Sequence, residues 1–211
     1  MNINSPIYKV LFIVILIGLV FFVDHKFGDK RMSKWLAIAP DKHLSSARMA
    51  LDAQSYSKSV EEIETAVQKI HKIELFADSA SRKHLDDSIE DLLSLEDHIK
   101  KDEFNVRELN LVFAECVNSL AFTYLKIAQD NLMHGKDLDA LESLRIVISH
   151  LHTSMSFLNK ETIEEETYIV DRIVEVMDSL QKYETYNEAS FNSLFAEVEA
   201  LIEEEHRKLR E

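Results

Sequence analysis

The side chains with the most chemistry to offer in this 211-residue chain are nine histidines and a single cysteine. Imidazole is the commonest protein ligand for transition metals. His71 and His152 hold equivalent places in two segments that align with each other, so they form the candidate metal pair. The competing expectation is that each borders solvent, one residue beyond the apolar seams at Ile70 and Leu151. His150 and His152 are two apart and point in different directions on a helix. Glu203 and His206 make one Glu-x-x-His pair, whereas a carboxylate-bridged di-metal bundle needs two such pairs and two further glutamates.

Cys116 lies within LVFAECVNSLAF, where a thiol behaves as a small buried hydrophobe. One cysteine makes neither an intramolecular disulfide nor a multi-cysteine zinc site. The three glycines, Gly18, Gly28 and Gly135, form no phosphate cradle, so dinucleotide and P-loop fingerprints are excluded. These residues predict no catalytic group and no cofactor. The net charge of −14 is uneven: a surplus of three positive charges in residues 1–34 leaves −17 for the rest, which makes nucleic acid an unsuitable partner.

The elements that must position these groups are helices. With three glycines and two prolines, turns needing positive φ are scarce and helix interiors run uninterrupted. The first element is a membrane anchor. Val10, Leu11, Phe12, Ile13, Val14, Ile15, Leu16, Ile17, Leu19, Val20, Phe21, Phe22 and Val23 make an uncharged run of 14 residues broken only by Gly18. From Ile3 to Val23 a helix would span roughly 31 Å, one bilayer core. The first small-x-small pattern, Ala37-Ile38-Ala39, lies far beyond this run and precedes Pro40, so retention is expected over cleavage. Trp35 reads equally as an interfacial side chain or as a core residue of the first helix. Lys26, Lys30, Arg31 and Lys34 after the span favour a cytoplasmic domain when basic residues are counted. The expectation adopted is nevertheless an extracytoplasmic domain on an inner-membrane, single-pass anchor.

The remainder predicts an antiparallel bundle of six to seven helices built from αα-hairpins, with residues 1–34 as anchor and basic juxtamembrane segment and 35–211 as an acidic helical domain. Breaks fall near 52–57, 78–81, 100–102, 134–137, 159–162 and 184–187. Leu141, Leu144, Ile148, Leu151, Met155 and Leu158 form one stripe at coiled-coil spacing, suited to a core or to self-association as a homo-oligomer. Thr162 with Glu165, and Thr185 with Glu188, read as capping boxes that start the last two helices. Phe191, Leu194, Phe195, Val198, Leu201 and Ile202 then make one apolar face, expected to bind a partner. Residues 161–211 hold fifteen Asp/Glu against five Lys/Arg, so that partner is expected to be basic.

Residues 44–73 align with 125–154 at an offset of 81. Leu44, Ala47, Leu51, Glu61 and His71 meet identical residues, and Val60, Ile63, Val67 and Ile70 meet Leu141, Leu144, Ile148 and Leu151. Each copy is a helix, a short polar turn and a second helix. The period is not the 34 of tetratricopeptide arrays, whose aromatic and proline signposts are missing. The stretches ARMALDAQSYSKSVEEIETA and AQDNLMHGKDLDALESL, within 43–73 and 124–155, resemble the helical hairpins of YfdX-like bacterial proteins. That resemblance implies an extracytoplasmic helical protein with a stress-related or chaperone-like role and no catalytic residues to carry over.

The sequence therefore predicts a membrane-tethered, non-enzymatic helical interaction module, a scaffold or accessory subunit. The alternative is a metal- or small-ligand-binding sensor of the envelope using His71 and His152.

Overall fold

The computed structural model of the protein describes residues 29–158, 160–182, 189, 192–200 and 204, with side chains from Trp35 onward except 160–166. The anchor run Val10–Val23 lies outside the described residues, as do Thr185, Phe191, Leu201, Ile202, Glu203 and His206.

All regular structure among the described residues is α-helical: α1 Asp29–Asp52, α2 Tyr56–Glu74, α3 Ser79–Lys100, α4 Val106–Met133, α5 Asp137–Met155 and α6 Lys160–Gln181. A further helix, α7, occupies 192–200. The chain divides into two compact units, Met1–Ala37 and Ile38–Glu211. In the first, Trp35 is largely exposed. The second holds the bundle. α1 runs through Pro40, whose missing N–H removes one helical bond close to the unit boundary.

Helix starts follow from local chemistry. The Asp78 carboxylate accepts from the Ser81 N–H at 2.8 Å to open α3. At α4 the Asn105 Oδ1 accepts from the Glu108 N–H at 2.8 Å, and the Asn105 Nδ2 donates to the Glu108 carboxylate at 3.1 Å, which holds the capping side chain in place. α6 begins at Lys160, so Thr162 falls inside its first turn rather than at its cap.

The 81-residue offset is far more regular in the backbone than in the side chains. Helix ends coincide in pairs: Asp52 with Met133, Tyr56 with Asp137, Glu74 with Met155, Ser79 with Lys160, Lys100 with Gln181. The two hairpin turns are superposable in bonding. Gln54 N donates to Leu51 O and Ser55 N to Ala50 O, and 81 residues later Gly135 N donates to Leu132 O and Lys136 N to Asn131 O. Both turns place their central residue in the left-handed region, Gln54 at φ 57° and Gly135 at φ 65°. The repeat is thus α1–α2–α3 followed by α4–α5–α6, with α7 in the place of α4.

The matched turns give a paired prediction. Gly135→Ala should cost about 1 kcal/mol through backbone strain alone, because an added Cβ meets nothing within 4 Å. Gln54→Gly should instead stabilise by up to about 1 kcal/mol. Denaturation midpoints of the full chain in mild detergent check this, and shifts of the same sign would contradict it.

Neighbouring helices run antiparallel. Across α3 and α4, Ser88 Oγ donates to Ser119 Oγ at 2.9 Å and the rings of His84 and Phe122 stand 5.0 Å apart. Across α4 and α5, Tyr124 faces His150 at 5.5 Å and Phe113 faces Phe157, just past α5, at 5.4 Å. α1 reaches α2 through His43 and Glu62 and reaches α4 through Arg48, which donates to Asn110 at 3.0 Å. Gln129, 81 residues after Arg48, donates to Asn192 at 3.2 Å and joins α4 to α7. Two four-helix rings follow, α1–α4 and α4–α7, sharing α4.

Sharing explains the composition of α4. Its residues 112–123 are all buried, because both rings cover it. Among the described residues it is the one helix long and apolar enough to cross a membrane, and most of it is buried, as in a core helix. The second ring closes on a core of Phe122, Leu125 and Ala128 from α4, Leu144, Val147 and Leu151 from α5, Ile169, Ile173 and Met177 from α6, and Leu194, Phe195 and Val198 from α7.

Candidate functional site

The most unusual side-chain arrangement is buried where α1, α4 and α5 meet. His150 of α5 is fully buried, and its Nδ1 lies 2.9 Å from each Asp41 carboxylate oxygen, 109 residues away. Nδ1–H therefore donates to Asp41, which leaves Nε2 as the other end of the ring. Nε2 is buried without a hydrogen-bond partner. The Tyr124 ring tilts against the imidazole, and burial, then the Asp41 charge, pushes the Tyr124 hydroxyl well above its ordinary pKa.

An aspartate that orients a histidine and leaves Nε2 bare is the geometry of a general base or a metal ligand. Here the imidazole is enclosed by its own helices, so the pair acts as a polar tie that fixes α1 against α5. Cys116 is also buried, and desolvation first, then Asp41, Glu115 and Asp91, raises its thiol well above the usual range. Such a thiol is protonated and inert at neutral pH.

The structure does not bring His71 and His152 together. His71 lies near the end of α2 and is exposed, bonded to Glu74 at 2.8 Å. His152 is exposed near the end of α5. The reason is topological: a repeat of three antiparallel helices reverses direction from one copy to the next, so equivalent positions fall toward opposite ends. Among the described residues no group of three or more His, Cys, Asp or Glu could hold a metal ion.

The expected partner-binding face is in part consumed by the protein itself. Leu194, Phe195 and Val198 are buried in the second ring's core. Phe195 stands edge-on to Phe122 at 6.3 Å, with Lys126 Nζ 4.1 Å from its ring centroid. Arg172 of α6 donates to Glu197 at 2.9 Å from the other side. Among the described residues the outside of α6 is one open face of this ring. Tyr168 and Val174 are exposed there among Asp171, Glu175 and Asp178, which recur three to four residues apart on one stripe.

Helix packing and site together define an all-α protein with a tandem three-helix repeat and a buried Asp-His tie. No protein-family model, curated protein or solved structure matches the chain.

Proposed function

We propose that the protein is a membrane-tethered helical scaffold whose outer α6 face docks a basic partner protein. The observation that carries this reading is the placement of Tyr168 and Val174, two exposed apolar side chains, inside an acidic stripe. An aromatic anchor ringed by charge is the composition of a docking patch, in which the apolar side chain supplies affinity and the charges supply steering and selectivity. Arg172 holds the Tyr168 hydroxyl at 3.2 Å and limits the rotamers it must lose on binding. The tether supports the reading by confining the scaffold to a surface, which raises the effective concentration of a membrane-associated partner.

The test is recovery of crosslinked partner from membranes carrying the full-length chain. Asp171→Lys with Glu175→Lys should reduce recovery at least about tenfold, and the wild-type yield should fall with added salt. Unchanged recovery from the charge-reversed chain would remove α6 from the proposal.

A further inference from the structure

Four of the most exposed large apolar side chains of the helical unit lie at one end of it. Leu75 (73% exposed) and Phe76 (72%) occupy the α2–α3 turn, and Met133 (68%) and Leu138 (82%) flank the α4–α5 turn. Because neighbouring helices are antiparallel, these two turns share an end, and it is the end from which α1 enters the unit. The α1–α2, α3–α4 and α5–α6 connections share the opposite end.

The repeat supplies its own comparison. Met133 and Leu138 correspond, 81 residues earlier, to Asp52 and Ser57 in the same turn geometry at the opposite end. Phe76 corresponds to Phe157, which is buried against Phe113 at that opposite end. Turn geometry therefore does not require these apolar side chains to be exposed. The opposite end does expose Met49 and Val106, while its Tyr56 stands edge-on to Phe104.

Charge is balanced at both ends: at the opposite one the exposed Lys58, Lys100, Lys101 and Arg107 offset the exposed Asp52, Asp102 and Glu103. At the α1 side, in a chain of net −14, the exposed Lys72, Arg82, Lys83 and Lys136 offset the exposed Asp78, Asp130 and Asp137, with Glu74 and Asp139 half-buried. In sequence, only 14 residues separate the apolar run ending at Val23 from Ile38, where the unit begins.

We infer that this end of the bundle rests on the lipid surface, inserting Leu75, Phe76, Met133 and Leu138 at headgroup depth. The inference rests on the proposed tether. Seated in this way, the bundle has its helix axes steep to the bilayer and the α6 flank directed sideways, open to a partner in the same membrane.

The test uses the full-length chain in vesicles of mixed phosphatidylcholine and phosphatidylglycerol. A fluorophore is attached at Phe76→Cys, at Leu138→Cys or, as control, at Met49→Cys, the buried native Cys116 staying unlabelled. Headgroup-proximal doxyl lipids should quench labels 76 and 138 several-fold more than label 49. Equal weak quenching at all three sites, in a chain that resists carbonate extraction, would overturn the inference and leave the tether standing. A chain that carbonate extracts would overturn the tether, and strong quenching at 76 and 138 would then still support the lipid-facing end. Labels 76 and 138 that are shielded from water yet unquenched would overturn it in favour of a protein contact.

Discussion

Asp41→Ala should lower the stability of the full chain by about 3 kcal/mol, the cost of leaving a buried polar partner with nothing to bond. His150 is fully buried with Nε2 already unpartnered, so the variant strands both ring nitrogens. His150→Leu should cost at least as much as Asp41→Ala, because it leaves the buried Asp41 carboxylate, a charge, without its donor. Asp41→Leu with His150→Leu should return close to wild type, since replacing both members of a buried pair by packed apolar groups is often neutral. A denaturation series of wild type, Asp41→Leu, His150→Leu and the double variant measures the coupling directly. Additive single-variant effects would show that the tie contributes nothing as a pair.

Phe122→Ala should be at least as damaging, at about 4 kcal/mol. The side chain is fully buried on the helix shared by both rings, edge-on to His84 of α3 on one side and to Phe195 of α7 on the other. Its loss leaves a cavity that neither ring can close without moving α4 and disturbing the other. Hydrogen exchange should therefore rise in α3 and in α7 together. A rise confined to one of them would mean that the two rings are not coupled through α4.

The hairpins were legible in sequence because their turns are short, polar and repeated, and because apolar spacing changes phase at each of them. The identities between 44–73 and 125–154 located the repeat, but the likeness fades beyond Ile73 because α3 and α6 face different neighbours. The backbone keeps the period where the side chains do not, as the matched ends Ser79 with Lys160 and Lys100 with Gln181 show. α1 continues through Pro40, since tertiary packing outweighs one lost bond.

The site was harder to read. Periodicity says that Leu194, Phe195 and Val198 share a covered face; it does not say whether the cover is a partner or α4, α5 and α6 of the same chain. Sequence equivalence places His71 and His152 at matching repeat positions but carries no direction, and three antiparallel helices per repeat invert it. Asp41 and His150 do not read as a pair in sequence because 109 residues separate them. The available signal was a charge within an apolar stripe: Ala37, Asp41 and Leu44 fall on one face of α1, and a carboxylate there must find a donor.

The most direct measurement is photo-crosslinking from a single photoreactive residue in place of Tyr168, in the full-length chain in its own membranes. The account predicts one dominant crosslinked protein, captured from position 168 and from Val174 but not from Leu93 on α3, and lost when Asp171 and Glu175 are reversed in charge. A crosslink from Leu93 with none from 168 or 174 would contradict it.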